Sequence, residues 1–586
     1  MKKLLVANRG EISLRIMRTA KEMGLATVAV YSEADRGAAH VAYAGEAYLL
    51  GPAAPAQSYL DIDRLLWAAA ASGADAVHPG YGFLAENAEF ARAVVAAGLV
   101  WVGPHPAAID AMGDKLRARR AMIEAGVPVV PGGTAAVESV ADAERAAREY
   151  GLPIALKASG GGGGKGLKVA YTVAELASAF STARREAEAY FRNGTIYVER
   201  YLENPKHVEL QILADKHGGV VHVGERDCSL QRRHQKLLEE TPARIDEGVR
   251  AALRDAGVRA ARAIGYDSVG TIETLVSGSE FYFLEMNTRI QVEHTISEMT
   301  SGLDLVREQL RVAAGEPLGY GQDAIDLRGH AIEVRVNAED PADGFRPAPG
   351  TLSAYREPSG FGVRVDSAAG PGFVIAPDYD SMIAKLIVWD ASRPAALARM
   401  KRAIDDYRIE GVPTTLPFLR ALLDDERVAE ASYGTATLEE FARTYHPAPD
   451  ASAPASARAT AAGAATAAPE VVRVEVDDRL FTVRIIDRPT SAGAAPALQR
   501  APRPGRTTSA NGRAAAGNDV VAPMHGVVVE IAVARGDAVS EGQVVAVIEA
   551  MKMMNEIRAH RAGTVESVLV KQGVTVEPQT PLLRLT

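Results

Sequence analysis

The chain has 586 residues, 74 acidic and 65 basic side chains, a net charge of −9 and 47% hydrophobic content. That length suits about four folding units at roughly 150 residues each, and the composition excludes a disordered or fibrous chain. Without a basic excess, neither nucleic acid nor an anionic membrane surface is an expected partner.

Cys228 is the single cysteine, so no intrachain disulfide can form, which fits a reducing cytoplasm. The apolar run after Met1-Lys2-Lys3 is four residues, too short for a signal-peptide core. No stretch approaches the ~20 apolar residues of a membrane span. A soluble cytoplasmic protein is expected.

The first segment reads as α/β. Leu4 to Ala7 form a short apolar run suited to a buried strand, Asn8-Arg9-Gly10 makes a turn, and Ile12, Ile16, Ala20 and Met23 recur at helical spacing. Thr27 to Tyr31 is the next strand. One glycine follows the first strand, not G-x-G-x-x-G, so a dinucleotide site is not supported. A glycine run, Gly160 to Gly164, lies between strand-like Pro153–Leu156 and Leu167–Ala170. That context is strand–turn–strand, unlike the strand–turn–helix of a Walker loop.

Residues 446–469 and 488–518 are almost all Ala, Pro, Ser, Thr, Gly and Arg, and read as mobile linkers. Between them, alternating residues from Val472 to Ile485 around Asp477-Asp478 suggest a β-hairpin, either a docking element or a spacer. The last segment repeats itself: Gly526 and Gly563, Gly536 and Gly573, and Val539 and Val576 are each 37 apart. Two matching β halves suggest a flattened barrel with a pseudo-twofold axis. Between the halves, Val545-x-Val547-x-Glu549 and Met554-x-Glu556-x-Arg558 would form a hairpin with Lys552 at its tip. A presented lysine on a domain at the end of a ~30-residue tether, with an r.m.s. reach of about 30 Å, is how a swinging prosthetic group would be built.

A second constellation follows the strand-like Phe281–Leu284: Glu285, Asn287, Arg289, Gln291 and Glu293 alternate and would share one face if the strand continued. Five polar residues on one face are costly to bury unless they bind something. With Glu273 twelve residues upstream, two carboxylates and an amide on neighbouring strands suit a hard cation, Mg²⁺ before Ca²⁺ where phosphate is present.

Glu549-Ala-Met-Lys552-Met resembles the E-A-M-K-M motif of biotinyl domains. Several further motifs resemble a biotin carboxylase with an ATP-grasp fold. These are Ala7-Asn-Arg-Gly-Glu-Ile12, His78-Pro-Gly-Tyr-Gly-Phe-Leu84, the glycine run, His207-Val-Glu, Glu225-Arg-Asp through Lys236, Glu285–His294 and Glu333-Val-Arg335. The chain is therefore similar to the α subunits of biotin-dependent acyl-CoA carboxylases of the acetyl/propionyl type.

The fold implied is α/β, an ATP-grasp biotin carboxylase with a Rossmann-like N-terminal domain, plus an all-β flattened-barrel biotinyl domain. The implied parts are an N-terminal domain at 1–114, an ATP-grasp domain at 115–330 with its lid at about 130–203, and a C-terminal domain at 331–445. A linker at 446–518, with the hairpin at 471–486, and the biotinyl domain at 519–586 follow.

The resemblance implies an ATP-dependent ligase. Glu293 would be the base on bicarbonate, Arg289 its bidentate anchor, and Gln291, Val292 and Lys236 its positioning groups. Arg335 would stabilise negative charge developing on biotin. Lys115 and Lys157 would contact ATP phosphates, with Gly161, Gly162, Gly163 and Gly164 forming the lid loop. Glu199 and Leu202 would hold adenine, while His207, Gln231 and His234 would line the nucleotide. Glu273, Glu285 and Asn287 would hold Mg²⁺ (or Mn²⁺). Tyr81 and Glu86 would lie near the biotin side. Biotin on Lys552, attached by a biotin protein ligase, would be carboxylated by way of carboxyphosphate. Carboxybiotin would then supply a separate, crotonase-like carboxyltransferase β subunit in a hetero-oligomer.

Other readings are the α component of a pyruvate or urea carboxylase, a carrier scaffold with a dead ATP-grasp domain, or another ATP-grasp ligase. Three departures from the family pattern stand out: Lys165 where Arg is usual, Leu167 where Met is common, and Thr295-Ile296-Ser297 in place of Pro-Val-Thr, which predicts a less constrained backbone after the base.

Overall fold

A computed structural model describes residues 1–160, 166–191, 193–233, 235–446, 470–476, 479–485, 518–551 and 553–586. Leu4, Leu5 and Val6 are fully buried, as a parallel strand covered on both faces requires. They lie in β1 (Lys3–Val6), the centre of a five-stranded parallel sheet. Its order is β3-β2-β1-β4-β5, with β2 (Ala26–Ser32), β3 (Glu46–Gly51), β4 (Ala76–His78) and β5 (Val100–Trp101). Helix α1 (Gly10–Glu22) leaves the C-terminal end of β1 and buries Ile12, Ile16 and Ala20, the predicted apolar stripe.

A small antiparallel sheet follows, in which β6 (Ile154–Ala158) lies between β7 (Leu167–Ala170) and β8 (Ile196–Arg200). The strand–strand context expected around the glycine run is present. Gly161 to Gly164 and Lys165 lie outside the described residues, and Leu167 heads β7.

The largest sheet has eight antiparallel strands in the order β13-β12-β9-β10-β11-β14-β16-β15. They are β9 (Lys206–Ala214), β10 (Val220–Arg232), β11 (Gln235–Thr241), β12 (Val269–Ser277), β13 (Glu280–Asn287), β14 (His330–Asn337), β15 (Val363–Ser367) and β16 (Met382–Asp390). Pairing of Leu238 with Val334 carries this sheet across residue 330. Its two faces differ in chemistry at the β14–β16 end. Ile332, Val334, Val336, Leu386 and Val388 face an apolar core with Met400 and Ala403 of the helix Arg393–Asp406. Glu333, Arg335 and Lys385 take the opposite face by strand alternation, and the short helix α2 (His294–Ser301) lies against that side.

In a separate unit, β17 (Glu470–Val476) and β18 (Arg479–Ile485) form the expected hairpin, pairing Val472 with Val483 and Val474 with Phe481. Asp477 and Asp478 lie outside the described residues.

The C-terminal segment builds two four-stranded sheets, ordered β19-β26-β24-β21 and β23-β22-β20-β25. The strands are β19 (Asp519–Val521), β20 (Gly526–Ile531), β21 (Ala538–Val539), β22 (Val544–Ala550), β23 (Met553–Arg558), β24 (Gly563–Val568), β25 (Thr575–Val576) and β26 (Pro581–Leu585). The 37-residue repeat becomes a reciprocal exchange. Gly526 of the first half pairs with Val576 of the second, and Val539 of the first with Gly563 of the second. Gly536 and Gly573 occupy matching turns at φ +94° and +84°, a region that side chains rarely enter. Val528, Val545, Ile548, Val565, Leu583 and Leu585 fill the space between the sheets.

Candidate active site

The expected single polar face does not form, because β13 ends at Asn287. The chain then turns, and Glu293 takes the position just before α2 without its side chain capping the helix. Side chains replace the missing ladder. The backbone N–H of Thr288 donates to Glu86 Oε1 at 3.0 Å, and Arg289 Nε donates to Glu86 Oε2 at 3.0 Å. His294 Nδ1–H donates to the Gln291 carbonyl at 2.7 Å. That ring is fully buried beside Lys385 and Arg15, and burial first of all pushes its pKa well down, so it is neutral.

The predicted residues nonetheless converge on one centre. Glu273 and Glu285 are direct cross-strand partners on β12 and β13. Glu273 Oε1 accepts from Asn287 Nδ2 at 2.7 Å, from Gln291 Nε2 at 2.9 Å and from Lys236 Nζ at 3.2 Å. Arg289 Nη2 donates to Asn287 Oδ1 at 2.8 Å. Lys236 Nζ also donates to Glu293 Oε1 at 2.6 Å and contacts Glu209. Arg335 Nη2 donates to Glu293 Oε2 at 3.0 Å, and its Nε to Glu239 Oε1 at 2.7 Å. Burial by itself would raise the Glu293 carboxyl. Lys236, Arg335 and Arg226 outweigh that effect and hold it far below the usual carboxylate range. Glu273 is held down against its burial by Lys236 and His207 in the same way.

The nucleotide-side residues form two further pairs. Lys115 bonds Glu285, which outweighs burial and keeps the ammonium above the ordinary lysine range. Lys157 bonds Glu199, whose other oxygen lies 3.6 Å from Arg119. Leu202 is half-buried just beyond β8, and Gln231 sits opposite Lys236 in the β10–β11 pairing. His207 Nε2 lies 3.1 Å from Glu273 Oε2. His234 and Lys552 lie outside the described residues.

Four participants carry no role in the sequence reading. Glu209 is fully buried and contacts Lys236 and Arg226. It stands two residues after His207 on β9, so strand alternation puts both on one face. Arg226, also fully buried, donates to Gln211, Ser297, Glu209, Thr271 and Gln291. It thereby orients the Gln291 amide so that the NH₂ group meets Glu273. Glu239 braces Arg335 from behind. Lys385 donates to the Val292 carbonyl at 3.0 Å. The sequence signal for Lys385 is a lone lysine inside the apolar run Met382–Trp389.

The backbone after the base is not loose, contrary to the expectation from Thr295-Ile296-Ser297. All three residues are fully buried. The Thr295 hydroxyl donates to Glu333, and Ser297 accepts from Arg226. Both hydroxyls tie the helix start to the sheet beneath it.

The donor set of Glu273, Glu285 and Asn287 is all oxygen, which fits Mg²⁺ or Mn²⁺. Lys115 and Lys236 already supply positive charge at the two carboxylates. A second cluster, His207, Glu209 and Glu273, brings three possible ligand atoms within 4.8 Å of one another. Its nitrogen donor makes it less suited to Mg²⁺.

In the C-terminal barrel, β22 and β23 pair to their ends, Ala550 with Met553. Met551, at φ +49°, is buried in the same apolar cluster as Phe345, Phe418 and Leu438. Arg233 Nη1 donates to the Met554 carbonyl at 3.1 Å. The barrel hairpin thus lies against the part that carries Glu293. Among the described residues no helix is long and apolar enough to cross a membrane.

Comparison with known families gives four matches in chain order. Residues 1–109 match the biotin carboxylase N-terminal domain, and 114–320 the carbamoyl-phosphate synthase L chain ATP-binding domain. Residues 333–440 match the biotin carboxylase C-terminal domain, and 518–585 the family described as biotin-requiring enzyme. A biotin-dependent acyl-coenzyme A carboxylase alpha3 subunit of Mycobacterium leprae is 44% identical over 595 residues, covering 100% of this chain and 98% of that protein. One of the pyruvate carboxylase subunits of Methanothermobacter thermautotrophicus is 50% identical over 442 residues, covering 75% of this chain and 90% of that protein. Among solved structures, the biotin carboxylase domain of Hydrogenobacter thermophilus 2-oxoglutarate carboxylase, in complex with MgADP, ADP and bicarbonate, superposes with a TM-score of 0.74. It is 46% identical, over 76% of this chain and 99% of that one. A Campylobacter jejuni biotin carboxylase gives 0.73 at 44% identity, over 75% and 98%.

Proposed function

Because the chain belongs to the α subunits of biotin-dependent acyl-CoA carboxylases, ATP-dependent ligases with an ATP-grasp biotin carboxylase and a biotinyl barrel on one chain, we propose that the site around Glu293 activates bicarbonate with ATP and carboxylates biotin carried on Lys552. The observation that carries this reading is the convergence on Glu293. Two cations hold its carboxylate, 2.6 and 3.0 Å away, and one of them, Lys236, also reaches the metal-competent carboxylate Glu273.

Lys115 and Lys157 bind the ATP phosphates, and Arg289 receives the bicarbonate oxyanion. A divalent cation at Glu273, Glu285 and Asn287 supplies charge neutralisation to the triphosphate, and biotin supplies the ring nitrogen that accepts the carboxyl group. Glu293 takes the bicarbonate proton as the oxyanion attacks the γ-phosphoryl group, and the bond from that group to ADP breaks, giving carboxyphosphate and ADP. A carboxylate gripped by Lys236 and Arg335 is a weak base. Anionic substrates compete for those two cations, and as their grip loosens the proton affinity of Glu293 rises toward the value that proton transfer needs. Arg335, braced by Glu239, then faces the charge that develops on the acceptor.

We also propose a separate crotonase-like carboxyltransferase β subunit that takes an acyl-CoA, acetyl- or propionyl-CoA. The chain would act with it in a cytoplasmic hetero-oligomer, Lys552 being modified by a biotin protein ligase. The match to the acyl-CoA carboxylase relative runs the whole chain, carrier included, whereas the match to the pyruvate carboxylase relative covers 75% of it. Two measurements test the reading. The purified chain should hydrolyse ATP only with bicarbonate, and its absence would overturn the site. Avidin capture from the source cells should co-elute a crotonase-like carboxyltransferase. A pyruvate-specific partner would overturn the acceptor alone.

A further inference from the structure

Lys385 is fully buried in the middle of β16, and its ammonium meets three different parts of the fold. It donates to the carbonyl of Val292, the residue before the base, at 3.0 Å. It lies 3.3 Å from Glu11 Oε1 on α1 and 3.8 Å from Asp366 Oδ2 on β15. The same Glu11 oxygen accepts the hydroxyl of Tyr81, from the loop after β4, and the Tyr81 ring centre is 5.9 Å from the ammonium.

Glu11 has no other described hydrogen bond, and its Oε2 is buried without a partner. Asp366 is engaged by Arg364 through both oxygens, at 2.8 and 2.7 Å. The unbroken line is therefore Tyr81, Glu11, Lys385, Val292 and Glu293. A lysine here has a specific consequence. A single ammonium bridges a carboxyl oxygen from one part of the chain and a backbone carbonyl from another, with three protons to place. Neither a methionine nor a leucine of similar volume could hold that carbonyl.

We infer that Lys385 is a positioning residue that sets the bicarbonate turn and the biotin-side tyrosine together, so that Tyr81 and the Glu293 turn are energetically coupled through one buried ammonium. This rests on the proposed assignment of Glu293 to bicarbonate and Tyr81 to the biotin side. Removing the ammonium frees the Val292 carbonyl and the start of the turn that aims Glu293. Misplacing a reacting group by about an ångström costs up to ~100-fold, and here the loss should appear at bicarbonate.

The test uses the full chain and bicarbonate-dependent ATP hydrolysis. Lys385→Met should raise the KM for bicarbonate about tenfold or more while the KM for ATP changes less than about twofold. Tyr81→Phe should raise the same bicarbonate KM although it touches neither Val292 nor Glu293, and the double variant should be no worse than Lys385→Met alone. Glu11→Gln keeps side-chain volume and serves if Lys385→Met does not fold; it should reproduce the Tyr81→Phe effect. A purely structural lysine would lower the yield or thermal midpoint with an unchanged bicarbonate KM. That result, or strict additivity of the Tyr81 and Lys385 effects, would overturn the coupling. A wild-type chain with no bicarbonate-dependent hydrolysis would instead overturn the underlying function.

Discussion

Lys236 and Glu293 form the central contact of the site: the ammonium donates to the carboxylate at 2.6 Å while reaching Glu209 and Glu273 with its remaining protons. One lysine thus links the residue placed as base to a residue placed as metal ligand. Its burial is tolerable because every proton finds an anionic partner.

Glu293→Gln keeps the shape and removes the base. Glu209, Glu273 and Glu239 still partner Lys236 and Arg335, so the fold should hold. Bicarbonate-dependent ATP hydrolysis should fall by about 10²–10⁴-fold, the usual contribution of a positioned base, with ADP binding retained. Unchanged hydrolysis would remove Glu293 from that role.

Glu273→Gln tests the metal set separately. The amide cannot ligate as an anion, and Lys236 and His207 lose a charged partner. The Mg²⁺ concentration for half-maximal hydrolysis should rise about tenfold or more, the scale seen when metal-site contacts are lost. A titration superimposing on wild type would mean that the cation is held elsewhere.

The N-terminal strand–helix, the hairpin and the twofold barrel are legible because each is written in local periodicity. Leu4 to Val6 read as a buried strand and form the centre of a sheet. The 37-residue repeat appears as reciprocal strand exchange. Long-range structure is not legible in the same way. Alternation from Glu285 to Glu293 reads as one strand, since periodicity cannot see that Glu86, some 200 residues earlier, satisfies the Thr288 amide and ends the pairing. Arg226, Glu239 and Lys385 escape the sequence for the same reason, because their meaning lies in partners from other strands. Thr295 shows the limit of pattern comparison. Losing a proline suggests slack, yet the hydroxyl gained reaches Glu333 and fixes the helix start.

Lys552 is testable without structural detail. The intact mass of the wild-type chain from cells with an active biotin ligase should show a biotin adduct, and Lys552→Arg should lack it. Charge is preserved by this change, so bicarbonate-dependent ATP hydrolysis should survive, while carboxyl transfer to the chain's own carrier should vanish. An adduct on both proteins would place biotin on another lysine.

Glu339 offers a pH test at a residue given no part in the reaction. It is 2% exposed, and Ser381 Oγ and Asn337 Nδ2 donate to its Oε1 at 2.6 and 3.1 Å. Burial dominates and pushes its pKa up to about 7, those donors only partly opposing it. The folded state therefore holds the proton more tightly than the unfolded chain does. Its stabilising effect is complete below the ordinary glutamate pKa of 4.5 and is lost as pH rises toward 7. At 1.4 kcal/mol for each tenfold change in proton affinity, the loss above pH 7 is at most about 3 kcal/mol. Glu339→Gln copies the protonated form and can still accept from Ser381. It should raise the unfolding midpoint relative to wild type at pH 8.5 and confer no advantage near pH 4.5. An equal effect at both pH values would mean that Glu339 titrates as an ordinary carboxylate and that burial costs it nothing.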